Sequence, residues 1–292
     1  MIKRVLVTGK NGQLGQSLQK IAGDYPQFDF SFVGRDQLDL AHSETITAFF
    51  ADKKFDAIIN CAAHTAVDKA ETETDLADQI NHLAVKQLAH IAKQMDAMLI
   101  HISTDYVFDG TKSGAYLEDD EVSPLGVYGS SKLAGEQSVR EICEKYYILR
   151  TSWVFSAYGN NFVKTMLRLG AEREELSVVA DQYGKPTSAI EIANVICKIL
   201  ASNKQAWGTY HLAQPEATTW YDFAEVIFAE ARNQGMDLSL SKLHAIQTED
   251  YPTPAKRPKN SVLDCFKLES TFKLKIKSWE ESLKEEQLGG LL

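Results

Sequence analysis

Cysteine is scarce and scattered. Cys61, Cys143, Cys197 and Cys265 form no CxxC pair, which leaves a disulfide framework or a zinc site without support. Buried free thiols in a reducing cytoplasm are the expectation. Positive charge is also in deficit, with 31 Lys+Arg against 40 Asp+Glu and a formal net charge of −9. That balance argues against a nucleic-acid binder or an anionic-membrane binder, although a local basic pocket stays open. No apolar run approaches the ~18 residues that a membrane span needs. The first residues, Met1-Ile2-Lys3-Arg4-Val5, run straight into a strand pattern, so no secretory leader is expected. Internal repeats and low-complexity tracts are lacking too. The 44% hydrophobic and 24% charged residues are an ordinary globular composition. A chain of 292 residues suits two domains or one large one, and it can bury roughly three quarters of its unfolded surface without a staple.

Strand and helix signals alternate through the first half. Val5-Leu6-Val7-Thr8, Phe28 to Val33, Ala57-Ile58-Ile59, Met98 to Ile102 and Tyr147 to Thr151 read as strands. Gln13 to Ile21, Ser43 to Phe50 with Ser43 as N-cap, Asp75 to Gln94 and Ser131 to Lys145 read as helices. The strand cores are apolar throughout rather than alternating, as in a parallel sheet covered on both faces. With right-handed crossovers this predicts an α/β fold: a doubly wound parallel-sheet Rossmann domain with a smaller α/β substrate-binding domain. In the second half, Leu176 to Val179 and Gly208 to His211 read as strands, and Ala189 to Leu200 and Trp220 to Arg232 as helices. Thr248 to Pro258, with three prolines, is a loop, and Glu280 to Leu292 a last helix. Residues 1–155 with roughly 188–213 are assigned to the dinucleotide domain, and roughly 156–187 and 214–292 to the substrate domain.

Gly9-Lys10-Asn11-Gly12-Gln13-Leu14-Gly15 joins the first strand to the first helix with GxxGxxG spacing. Free N–H groups and a partial positive charge at a helix start suit a pyrophosphate. Gly12 lets the phosphates approach and Gly15 lets the helix pack. The second strand ends at Gly34-Arg35-Asp36. Arg35 can pair with a ribose 2′-phosphate, which favours NADPH with NADH use left open. Asp39 and Leu40 can flank the adenine.

Tyr128 and Lys132 form a YxxxK pair. Residues four apart share a helical face, so an ammonium beside the phenol is expected to lower its pKa from about 10. Thr104 ends the fourth strand, where this fold opens its ligand crevice. There it can donate to a carbonyl that Tyr128 protonates.

Glycine loop, Thr104 and YxxxK together resemble the extended short-chain dehydrogenase/reductase superfamily. Within it the sequence resembles the dTDP-4-dehydrorhamnose reductase family over nearly its whole length. The carrying segments are Gly9 to Gly15, Asn60 to Glu71, Ser103 to Gly110, Tyr128 to Lys132, Arg150 to Phe155, Asp181 to Thr187 and Arg257 to Asp264. The resemblance implies NADPH-dependent reduction of the C4 ketone of dTDP-4-dehydro-β-L-rhamnose, with Thr104, Tyr128 and Lys132 as the catalytic group. It implies that Gly9, Asn11, Gly12, Gln13, Leu14, Arg35, Asp39, Leu40, Ala62, Ala63, Thr65, Tyr128 and Lys132 hold the cofactor. Thr65, Val67, Thr104, Asp105, Tyr106, Tyr128, Trp153, Gln182 and Arg257 then face the nucleotide sugar. Some members of the family are magnesium-linked dimers using glutamates. No glutamate aligns cleanly here, Glu191 being one place away, so no metal is predicted and the chain is expected as a monomer or homodimer. His64 and His101 read as structural, and Glu118-Asp119-Asp120-Glu121 as a solvated acidic loop. Two alternatives stay open: another nucleotide-sugar epimerase, dehydratase or reductase of the superfamily, and a non-catalytic dinucleotide-binding regulatory subunit. Thr104 is followed by Asp105-Tyr106 and not by the Thr-Asp-Glu typical of dehydratases.

Overall fold

The structure, a computed structural model, describes residues 3–202 and 204–291. The first half contains β1 (Lys3–Thr8), α1 (Gln13–Ile21), β2 (Phe28–Val33), α2 (Ser43–Phe50), β3 (Ala57–Asn60), α3 (Val67–Ala70) and α4 (Thr74–Asp78). After a π-helical turn (Gln79–Leu83) come α5 (Ala84–Gln94), β4 (Met98–Thr104), α6 (Val127–Ile142) and β5 (Tyr146–Thr151). The second half contains β6 (Val154–Phe155), α7 (Phe162–Glu172), β7 (Glu175–Val179), β8 (Tyr183–Gly184), β9 (Thr187–Ser188) and α8 (Ala189–Ser202). It continues with β10 (Gly208–His211), β11 (Thr218–Thr219), α9 (Trp220–Asn233), β12 (Lys242–Ile246), α10 (Phe266–Phe272) and α11 (Trp279–Glu285).

Six parallel strands form the central sheet in the order β10-β5-β4-β3-β1-β2. Successive strand residues point to opposite faces. Val5 and Val7 of β1 join Leu14 and Leu18 of α1 and Ile192 and Ile196 of α8 on one side. Leu6 of β1, Ile58 of β3 and Leu99 of β4 join Ile46 of α2 and Leu88 of α5 on the other. Burial on both sides explains why these strands are apolar without alternation. A separate core packs Leu167 of α7, Phe223 and Ile227 of α9 and Leu283 of α11 beside the β7–β12 pair. Strand order reverses between β1 and β3, and such a switch point opens a crevice at the strand ends.

Four local expectations change. α6 starts at Val127 rather than Ser131, because the Val127 N–H is capped by Glu71 Oε1 at 2.9 Å. A cap supplied from 56 positions away leaves no local signal. Ser43 is the first helical residue of α2, and His42 holds the cap position. The segment from Asp75 to Gln94 is broken by the π-helical turn. The last helix begins one residue early, at Trp279, where Ser278 and Glu281 form a capping box, and it stops at Glu285. All four cysteines are unpaired.

Candidate active site

The turn after β1 is built on glycine for steric reasons. Gly9 has φ of +70°, and a Cβ there would stand 2.9 Å from the Ala62 nitrogen. A Cβ on Gly15 would stand 2.2 Å from the Gly9 carbonyl oxygen. Gly12 is different: the only contact a Cβ would make is the Gly9 oxygen at 3.4 Å, so its bare backbone faces open space. That space is a cavity of about 610 Å³. Gly9, Asn11, Gly12, Gln13 and Leu14 line it from the loop, Arg35, Asp39 and Leu40 from beyond β2, and Ala62, Ala63 and Thr65 from beyond β3.

These residues fit a dinucleotide. The exposed Arg35 has no ion-pair partner among the described residues. Lys10 is a second cation at this end, one that the sequence did not single out. Its Nζ lies 2.7 Å from Gln37 Oε1 and 3.4 Å from Asp36 Oδ1, and its Cε stands 3.0 Å from the position of a Cβ on Gly34. Gly159 and Asn160 also line the cavity and were likewise missed. The Gln13 carboxamide clasps their loop, its Oε1 accepting from Ser156 Oγ and Asn161 Nδ2, each at 3.0 Å. Gln13 therefore closes the cavity with its side chain, leaving its backbone for a phosphate.

Thr104, Tyr128 and Lys132 are not in the lining of this cavity: Tyr128 hydrogen-bonds Thr104, and Lys132 reaches the carbonyl of Ile102, which does line it. Lys132 is 2% exposed, and its Nζ donates to the Ile102 carbonyl at 2.6 Å, with His101 Nε2 at 3.5 Å. Burial pushes Lys132 down to about 8, while the charge of Glu136 opposes the shift. The expected lowering of the Tyr128 pKa is not found. Burial pushes the phenol up to about 12, against a hydrogen bond with Thr104, and Asp105 adds to the rise. The lysine ammonium is tied to the strand carbonyl, so the phenol of the open cleft stays protonated at neutral pH. Asp105 is 2% exposed. Burial pushes it up to about 6, although the Ser261 and Thr104 hydroxyls favour its charged form.

The residues expected to face the sugar meet in smaller groups. Tyr106 packs edge-on against Tyr128 with ring centroids 5.6 Å apart. Arg257 pairs with Asp68 of α3 at 2.8 Å and donates to Thr253, pinning the proline-rich loop beside half-buried Val67. Tyr106 lies close enough to feel the charges of both Arg257 and Asp68. Trp153 has φ of +47°, in the region that favours glycine. Its indole stacks on Trp220 at 3.5 Å and fills the space a side chain at 184 would need. Gln182 is buried, and its amide donates to Thr248 Oγ1 at 3.2 Å.

The remaining polar residues have defined work. The His64 ring bonds Glu73 at 2.7 Å. His101 continues a buried chain through Asn60 to Thr8, at 3.2 and 2.7 Å. The acidic segment is not simply solvated: Glu118 accepts from the His211 amide at 3.0 Å, and Asp120 pairs with Lys112 at 2.5 Å.

The family model described as RmlD substrate binding domain matches residues 3–287. The dTDP-4-dehydrorhamnose reductase of Escherichia coli (strain K12) is 43% identical over 289 residues, covering 96% of this chain and 95% of that one. A crystal structure of a Clostridium acetobutylicum dTDP-4-dehydrorhamnose reductase superposes with a TM-score of 0.90 at 43% identity, covering 97% of each chain. The Bacillus anthracis dTDP-4-dehydrorhamnose reductase in complex with NADP gives 0.90 at 40% identity, over 97% of this chain and 98% of that one. With a matched model spanning nearly all of its length and full-length relatives at this identity, the chain belongs to the dTDP-4-dehydrorhamnose reductase family.

Proposed function

We propose that this protein reduces the C4 ketone of dTDP-4-dehydro-β-L-rhamnose to dTDP-L-rhamnose, drawing on NADPH. The observation that carries the proposal is the Tyr128–Thr104 hydrogen bond, with Lys132 on the Ile102 carbonyl, beside a cavity built on a glycine loop and lined by Arg35. Bound reduced nicotinamide supplies the hydride. Tyr128 is a protonated phenol at neutral pH, the state a proton donor to a developing alkoxide needs. Lys132, which donates to the Ile102 carbonyl, is proposed to stabilise the phenolate left behind and to hold the nicotinamide ribose. Thr104, hydrogen-bonded to the phenol, is proposed to support it.

Gly9, Asn11, Gly12, Gln13, Leu14, Arg35, Asp39, Leu40, Ala62, Ala63 and Thr65 are proposed to hold the cofactor. Val67, Asp105, Tyr106, Trp153, Gln182 and Arg257 are proposed to face the nucleotide sugar. Residues 1–155 with roughly 188–213 form the proposed cofactor domain, which accords with β10 lying on the edge of the central sheet. The site of action is proposed to be the cytoplasm. Among the described residues, no helix is long and apolar enough to cross a membrane.

The test is a coupled assay with dTDP-4-dehydrorhamnose and each nicotinamide, with NMR of the sugar. Loss of NADPH absorbance equal to the dTDP-L-rhamnose formed supports the proposal. Product formation without net NADPH loss means an epimerase or dehydratase. Binding of NADPH with no turnover means a regulatory subunit.

A further inference from the structure

Behind the catalytic lysine lies a carboxylate that the mechanism leaves unused. Glu136 follows Lys132 by one helical turn, so both occupy the same face of α6. It has no solvent exposure, yet four donors surround it. Ser103 Oγ reaches Oε1 at 2.5 Å and Arg150 Nε reaches it at 2.9 Å. Arg150 Nη2 reaches Oε2 at 2.8 Å and Arg140 Nη2 at 2.5 Å. Ser103 is the residue before Thr104, and Arg150 is the residue before Thr151, which lines the cofactor cavity. One side chain thus locks α6 to the ends of β4 and β5.

We propose that Glu136 is a positioning residue for the reduction, holding Lys132 as an ammonium and setting α6 at the height where Tyr128 meets Thr104. This rests on the reductase assignment, because only there does the ammonium matter. The groups facing Lys132 come from three elements. His101 on β4 lies 3.5 Å away, and burial, followed by the lysine charge, holds it well below its ordinary range, so it is neutral. Cys61 beyond β3 is pushed up by burial and is a neutral thiol. Glu136 on α6 is the third. Burial opposes its charge, but the bonds and charge of Arg150, with Ser103 and Arg140, hold its carboxyl below the usual range. It is therefore the ionised partner that offsets the burial of Lys132. The bidentate arginine fork keeps that charge in place.

The experiment is the pH profile of kcat/KM for NADPH-dependent reduction. In wild type the alkaline limb reports loss of the Lys132 proton. Glu136→Gln keeps the shape but removes the charge, and moves that limb to lower pH by about one unit, a tenfold loss of activity on its alkaline side. Ser103→Ala keeps the charge and lowers kcat without moving the limb. The double variant Glu136→Gln with Arg150→Met removes both buried charges, a change that cores often tolerate. It shifts the limb in the same direction and serves if the single variant does not fold. A limb that stays in place in the folded variants, with kcat reduced evenly at every pH, overturns the proposal. If wild type does not reduce the ketosugar at all, it is the reductase assignment that fails.

Discussion

The Thr104 hydroxyl donates to Asp105 Oδ1 at 3.0 Å, and Thr104 Oγ1 accepts from the Tyr106 N–H at 3.2 Å. A hydroxyl has one proton to donate. With that proton directed at Asp105, donation to a ketone oxygen requires the Thr104 hydroxyl to turn away from the carboxylate. Asp105 thereby orients the Thr104 hydroxyl beside the Tyr128 phenol.

That arrangement makes Asp105 a pH-dependent liability for folding. Its folded pKa of about 6 lies above the ordinary 3.8. A raised carboxyl stabilises the fold below its unfolded pKa, and this contribution is lost as pH rises through the folded value. Asp105→Asn removes the titration. Its melting temperature relative to wild type should climb between pH 4 and pH 7.5, by the equivalent of up to about 3 kcal/mol. Thermal denaturation across that range checks it, and a difference independent of pH contradicts it. Turnover of the variant should change little, because the Asn Oδ1 can still accept from the Thr104 hydroxyl.

Tyr128→Phe removes the proton donor while keeping the ring that packs against Tyr106. Turnover should drop by about 10²–10⁴-fold. NADPH affinity, followed by nicotinamide fluorescence, should stay within a few-fold of wild type. Near-normal turnover would take Tyr128 out of the chemistry.

What the sequence made legible was local. The apolar runs of β1, β3, β4 and β5 announced strands buried on both faces, and the glycine spacing announced a turn where Gly9 and Gly15 leave no room for a Cβ. Eleven of the thirteen cofactor candidates, from three separate loops, line one cavity, and Tyr128 and Lys132 are not in its lining. What stayed hidden was every feature made by distant partners. The α6 start depends on Glu71, and the loop at Gly159 is held by Gln13. Glu136 reads as an ordinary helical carboxylate until Arg150 and Ser103 are folded against it. The lowered tyrosine pKa was expected from spacing, but burial outweighs a lysine turned toward the Ile102 carbonyl.

The ion pair of Arg257 with Asp68 joins the proline-rich loop to α3 next to Tyr106. Arg257→Ala should raise KM for the nucleotide sugar about tenfold or more, since charge-assisted bonds contribute roughly 1.5–3 kcal/mol. KM for NADPH should change little, because Arg257 does not line the cofactor cavity. Equal effects on both constants would instead mark the pair as a general fold element.

Gly15→Ala tests whether the glycine loop is sterically fixed. The added methyl would sit 2.2 Å from the Gly9 oxygen and 2.8 Å from the Lys10 Cα, both backbone atoms. The loop must move away from α1, at about 1–3 kcal/mol of stability. That displacement acts on the segment carrying Asn11 and Gly12, so KM for NADPH should rise about tenfold while KM for the sugar changes less. Gly23→Ala is the matched control, with nothing within 4 Å of the new methyl, and it should leave both KM values unchanged. If the two alanines behave alike in steady-state kinetics and thermal melts, the tight approach of α1 to its own loop does not shape the cofactor cavity.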